Sequence, residues 1–163
     1  MASDRLKRLG FRTWGRLPLA ARLFVVRRAT PSFHVGAICV IERHDGALLL
    51  VRNSYRKRWG FPGGFLKRGE TPFDAARRET DEEVGLNVVL DDNPKVVVEA
   101  DLRRVDVIFT GRPAEGADAP APRSLEILEA RWFPVNDLPE LQPEATLALI
   151  ELGRAHRPPL DLG

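Results

Sequence analysis

Three glutamates, Glu79, Glu82 and Glu83, follow Arg78 in the second half of a segment whose spacing reads as one helix. At about 100° per residue, Glu82 lies roughly 60° behind Glu79 and Glu83 roughly 40° ahead, so the three carboxylates share one side. Like charges so spaced cost about 0.2–0.5 kcal/mol per pair, and the negative end of the helix dipole adds to that cost. Arg78 compensates in part, and a divalent cation would compensate the rest. Clustered carboxylate oxygens without histidine or thiolate favour Mg²⁺ or Mn²⁺ over zinc. On spacing alone, a solvated acidic face explains the pattern equally well.

The preceding segment shifts that balance. Gly60-Phe61-Pro62-Gly63-Gly64 is a tight turn whose exposed backbone could offer a carbonyl to a cation and amides to a phosphate oxygen. From Arg52 to Arg68 there are six bases (Arg52, Arg56, Lys57, Arg58, Lys67, Arg68) and no acid. A basic loop beside an acidic helix suits a polyphosphate–metal complex, with bases on the phosphates and carboxylates on the metal. Tyr55 could stack on a nucleobase, whereas Trp59 and Phe61 read first as core.

The elements that must position these residues follow from periodicity and caps. Thr71 is a good N-cap, Pro72 fits the first helical position, Asp74 suits the positive end, and Gly85 stops the helix. Phe73, Ala76, Thr80 and Val84 form its apolar stripe. Residues 33–41 alternate with apolar types on both sides, a strand buried on both faces, and residues 47–51 are expected to complete a hairpin with it across Arg43-His44-Asp45-Gly46. Further strands are expected at 96–100, 105–109 and 127–133, a Pro/Ala/Gly-rich mobile loop at 111–124, and a closing helix at 146–155. Strands with helices between and after them imply an α/β fold with a mixed central sheet covered by helices.

At 163 residues the chain has room for one such domain plus an arm. A lone cysteine, Cys39, excludes an intrachain disulfide framework and suggests a reduced, cytoplasmic setting. The longest uncharged stretch, residues 29–41, is too short for the ~18 apolar residues of a membrane span. The net charge of +2 is a cancellation: residues 1–28 hold eight bases and one acid, a net +7 against −5 for the remainder. This basic arm is expected to be a helix or partly disordered, packed on the domain or touching an acidic partner such as a membrane surface.

Gly64, five residues, Glu70, seven residues, then Arg78-Glu79-Thr80-Asp81-Glu82-Glu83-Val84-Gly85-Leu86 resembles the Nudix box. Thr80, where that pattern has a bulky aliphatic residue, is its one departure; it falls on the apolar stripe, and its hydroxyl can bond back to the carbonyl of residue 76.

The resemblance implies an α/β/α sandwich over residues 29–163 and metal-dependent hydrolysis of a nucleoside diphosphate linked to another moiety, with Mg²⁺ or Mn²⁺ as cofactor. Carried over by position, Glu79, Glu82 and Glu83 would be metal ligands, the Gly63 carbonyl and Glu70 would complete or support the site, and Arg78 would orient a catalytic carboxylate. The general base is expected first at Glu79 or Glu82, then at Glu126, with Glu129, Glu115 and Asp118 as further candidates. Arg52, Tyr55, Arg56 and Arg58 are the candidate substrate contacts. A nucleotide or nucleotide-derivative substrate is the expected partner, a homodimer is open, and no nucleic acid is expected. The competing reading is a non-catalytic Nudix-type module that senses a nucleotide or uses the arm to reach RNA or a membrane.

Overall fold

The computed structural model describes residues 14–117 and 119–153. The chain divides into two units, Met1–Phe33 and His34–Gly163. In the first, helix α1 (Leu19–Ala29) has no buried residue and leaves Leu19, Leu23, Phe24, Val25 and Val26 exposed. It runs one residue past the expected arm because Thr30 closes it, donating from both its amide and its hydroxyl to the Val26 carbonyl (2.9 and 2.7 Å).

The second unit contains strands β1 (His34–Ile41), β2 (Leu48–Asn53), β3 (Gly63–Phe65), β4 (Val88–Leu90), β5 (Lys95–Glu99), β6 (Arg104–Pro113) and β7 (Ile127–Phe133), with helices α2 (Pro72–Val84) and α3 (Pro143–Glu151). The main sheet has the order β3-β1-β6-β4, with β5 also on β6; β2 and β7 form a separate antiparallel pair. β1 and β6 run parallel from His34↔Arg104 to Ile41↔Gly111. Among the described residues, no helix is long and apolar enough to cross a membrane.

Alternation along β1 and β2 creates two apolar layers. Ala37, Cys39, Ile41, Leu49 and Val51 pack with Ala75, Ala76 and Val84 of α2. Ile38, Val40, Leu48 and Leu50 pack with Ala145, Ala148 and Leu149 of α3. Successive strand residues point to opposite faces, so a strand apolar at every position serves a core on each side. The result is the expected α/β/α layering, each fully buried aliphatic contributing about 1.5–3 kcal/mol.

The hairpin expectation is overturned. Arg43 and Ala47 close the turn, and a single bridge, Glu42↔Leu48, follows it. The strands then diverge, β1 to β3 and β6 and β2 to β7, because both edges of β1 are taken by other partners. The turn at Gly60–Gly64 leads into β3, which pairs with β1 as Gly36↔Phe65, Ala37↔Gly64 and Ile38↔Gly63. The closing helix starts three residues earlier than expected, at Pro143, whose ring presets the first helical φ.

The expected mobile loop is partly structured. Gly111–Pro113 extend β6 by pairing with β4, and Ala121 and Arg123 donate their amides to the carbonyls of Val84 and Glu83 (3.0 and 2.9 Å). Those are carbonyls at the end of α2 that would otherwise lack partners.

Candidate active site

Helix α2 carries the acidic cluster and is fixed at both ends. Thr71 Oγ1 accepts from the Asp74 amide (3.2 Å), and Gly85, at φ 66°, donates its amide to the Asp81 carbonyl (2.9 Å). A left-handed residue at this point favours glycine. Thr80 is fully buried and its hydroxyl donates to the Ala76 carbonyl (2.8 Å), as its place on the apolar stripe implies.

Within the cluster, exposure is graded. The Glu82 side chain is 50% exposed and Glu79 17%, while Glu83 is buried against β3. Glu83 Oε2 accepts from the Gly63 amide (3.2 Å). Burial pushes the Glu83 carboxyl up to about 8; the Gly63 hydrogen bond opposes the shift, and the charges of Glu79, Glu126 and Glu82 add to it. Glu79 lies against Gly64, where a Cβ would fall 2.5 Å from its Oε1. Glycine at 64 is what lets the helix carboxylate rest on the sheet.

Arg78 ties the cluster together. It donates to Glu70 through Nε and Nη2 (2.7 and 2.9 Å), and through Nη1 to Glu79 (2.6 Å) and Glu82 (3.0 Å). Glu70 also accepts from the Lys67 amide (2.8 Å), and together Arg78 and this amide hold its carboxyl down to about 2. Glu70 thus stands as the anchor of Arg78, with hydrogen bonds on both oxygens. Lys67, then Arg78, lower the Glu82 carboxyl.

Glu79 and Glu83 line a cleft of about 310 Å³ together with Glu126. The rest of the lining comes from distant parts of the chain: Asn53 at the end of β2, Arg104 and Asp106 on β6, Gln142 and Glu144 at the start of α3. Five carboxylates and two guanidiniums therefore line one small space. A larger cavity of about 740 Å³, beside Arg43, Arg112 and Trp132, is lined by none of the box carboxylates; chemistry, not volume, marks the smaller cleft.

Of the four candidate substrate contacts, Tyr55 and Arg56 line the cleft. Arg52 and Arg58 do not line it and are held elsewhere, Arg52 by Glu129, with Nε donating at 3.0 Å, and Arg58 by Glu140 (2.7 Å). Distant acids thus neutralise much of a loop that looks uncompensated along the chain. Glu129 is lowered by Arg52 and paired also with Arg131, and it does not line the cleft. Glu115 is exposed and outside the cleft, and Asp118 lies outside the described residues. Sequence reasoning misses Arg104 and Asp106, although two charges spaced by two at the head of the apolar run 104–109 mark one face of the strand.

Among the described residues no three acidic, histidine or cysteine side chains converge closely enough to hold an ion as they stand. The donor set nevertheless fits a hard divalent cation, since its side-chain oxygens are all carboxylate and Glu83 is destabilised as an anion first by burial and then by its acidic neighbours. The Gly63 group that touches Glu83 is its amide, which donates to Oε2.

The NUDIX domain model matches residues 32–152. The chain belongs to the NUDIX family. It is 29% identical over 116 residues to a MutT-like protein of Streptomyces ambofaciens, covering 71% of this chain and 73% of that one. It is 31% identical over 130 residues to the human 8-oxo-dGDP phosphatase NUDT18, covering 72% of this chain but only 37% of that protein's length. Among solved structures, a NUDIX hydrolase from Nitrosomonas europaea matches with a TM-score of 0.58 at 27% identity, over 67% of this chain and 64% of that one. The chain is thus a member of a hydrolase family, and its relatives include proteins named as an ADP-sugar pyrophosphatase of Mus musculus, covered over 62% of its length, and an RNA pyrophosphohydrolase of Psychrobacter arcticus, covered over 32%.

Proposed function

We propose that the chain is a Mg²⁺-dependent pyrophosphohydrolase, with Mn²⁺ as an alternative ion, acting on a nucleoside diphosphate linked to another moiety. The observation that carries this reading is the buried Glu83 carboxylate, held by the Gly63 amide in a cleft it shares with Glu79 and Glu126.

Glu79, Glu82 and Glu83 would hold the ion; Glu82, the most exposed, must turn from Lys67 and Arg78 to do so. The bound ion would neutralise the diphosphate and acidify an attacking water. Glu79, fixed by Arg78 and resting on Gly64, would take that water's proton, and Glu126 would offer a second carboxylate in the same cleft. Arg56 and Tyr55 line the same cleft and would face the substrate; the exposed Tyr55 ring, with the Arg56 guanidinium carbon 5.8 Å from its centroid, would stack on a base. Relatives named for 8-oxo-dGDP, ADP-sugar and RNA pyrophosphate hydrolysis set the substrate panel. Release of nucleotide or phosphate with Mg²⁺, lost in Glu82→Gln, is the expected result. Intact substrates throughout, with nucleotide bound but not turned over, would support the non-catalytic module instead.

We also propose that α1 lies on an anionic membrane surface. Its exposed Leu19, Leu23 and Val26 share one side, flanked by Arg22 and Arg27. Co-sedimentation with phosphatidylserine vesicles, lost at high salt and in an Arg22→Glu/Arg27→Glu variant, is expected; equal recovery with neutral vesicles would contradict it.

A further inference from the structure

Three of the basic-loop arginines already use their guanidiniums: Arg52 on Glu129, Arg56 on Gln142 (2.7 Å) and Glu144, Arg58 on Glu140. Arg104 differs. It opens β6, lines the cleft that Glu79 and Glu83 line, and contacts Asp106 through Nε (2.9 Å to Oδ1, 2.7 Å to Oδ2). The Phe65 ring backs it, with its centroid 5.8 Å from the guanidinium carbon. Nη1 stands 3.8 Å from Glu144, beyond hydrogen-bond reach, so among the described contacts neither terminal nitrogen donates a hydrogen bond.

The sequence sacrifices a good deal to hold this one guanidinium. Asp106 is 2% exposed, and burying a carboxylate costs several kcal/mol unless it is well paired. Gly36 must lack a side chain, because a Cβ there would fall 2.5 Å from Asp106 Oδ1. A β-strand core would be served as well by apolar residues at 36 and 106. What the arrangement yields instead is an oriented fork whose terminal N–H groups make no hydrogen bond among the described contacts and whose one ion pair there, Nη1 to Glu144, is a long one at 3.8 Å, in a cleft that Glu79 and Glu83 also line. Such a fork matches a phosphate, which it can engage through two parallel bonds.

We propose that Arg104 is a substrate-recognition residue that receives a phosphate group of the substrate, with Asp106 as its positioning residue. The cleft then favours substrates that carry a further phosphate beside the scissile linkage, nucleoside triphosphates, over nucleotide sugars, which present neutral hydroxyls there. This rests on the pyrophosphohydrolase reading above and names the substrate class of the same site.

Two measurements separate the proposal from that reading. The first is steady-state hydrolysis of a nucleoside triphosphate and an ADP-sugar by wild type, Arg104→Gln, Arg104→Lys and Asp106→Asn. The second is calorimetric binding of inorganic pyrophosphate in Mg²⁺, which needs no turnover. In Arg104→Gln, KM for the triphosphate should rise about 10-fold or more with kcat within about 3-fold, KM for the ADP-sugar should stay nearly level, and pyrophosphate should bind about 10-fold more weakly. Asp106→Asn should shift the same quantities less, and Arg104→Lys should recover part of the affinity. A folded Arg104→Gln, or a folded Arg104→Lys should the first not fold, with wild-type KM and pyrophosphate affinity overturns the proposal. So does an equal loss on both substrate classes. If wild type turns over nothing, the hydrolase reading fails by itself, while the pyrophosphate affinities still decide the role of Arg104.

Discussion

Arg78 grips Glu70 through two parallel hydrogen bonds, Nε to Oε1 at 2.7 Å and Nη2 to Oε2 at 2.9 Å, and so is fixed before it touches Glu79 or Glu82. The planar fork is what makes the grip bidentate, and lysine cannot reproduce it. Arg78→Lys and Glu70→Gln should each lower kcat by about 10–100-fold, the range for residues that orient ligands. The pair is largely covered, at 18% and 13% exposed, so thermal melting should fall, but by less than activity does; equal losses of activity and stability would contradict a positioning role.

Glu82 and Glu83 differ in burial, and their variants should differ accordingly. Glu82→Gln should reduce activity by roughly 100-fold or more with the melting temperature nearly unchanged. Glu83→Gln should reduce activity as far while keeping the contact with the Gly63 amide through its side-chain carbonyl. Chelation of wild type should abolish turnover, and Mg²⁺ should restore it; turnover that survives chelation would remove the metal-dependent reading.

Gly64 and Gly63 test two different close approaches. A Cβ at 64 meets the Glu79 carboxylate, so Gly64→Ala should cost activity more than stability. At 63 it would fall 2.3 Å from the Ala37 carbonyl oxygen, so Gly63→Ala should push β3 from β1 and destabilise by about 1–3 kcal/mol. Denaturant titration beside kinetics distinguishes the two.

Cys39 is buried in β1, and burial pushes its thiol up to about 12, with the Thr80 hydrogen bond opposing the shift. The thiolate is the reactive form, so native protein at pH 8 should resist Ellman's reagent and react on unfolding. The folded state holds this proton more tightly than the unfolded chain. Its contribution to stability is therefore complete below the ordinary thiol value and is lost as pH rises toward 12. Melting curves from pH 8 to 11 should fall more steeply for wild type than for Cys39→Ala.

The acidic wall of the site was legible because it is local: caps, spacing and glycines all lie between residues 64 and 86, on one helix and the strand before it. The other wall was not. Arg104, Asp106, Gln142 and Glu144 reach the cleft from far along the chain, and no short spacing links them to the box. Neighbouring strands joined by a tight turn usually pair, so the separation of β1 from β2 ran against a sound local rule. β3 and β4 span three residues each, too few for a two-residue period to register. The charge of the 52–58 loop misled for the same reason, since its balancing acids, Glu129, Glu140 and Glu144, lie beyond any local window.

The parallel pairing of His34 with Arg104, and the pairing of Leu48 with Phe133, also set when the protein can fold. Contacts so far apart in sequence carry a large loop-closure cost, and folding dominated by them is slow, in the range of milliseconds to seconds. During synthesis, at roughly 5–20 residues per second, helix α2 is complete well before β6 and β7 exist to support it. For several seconds the nascent chain exposes the apolar faces of β1 and β2, the interval in which a chaperone would have most to hold.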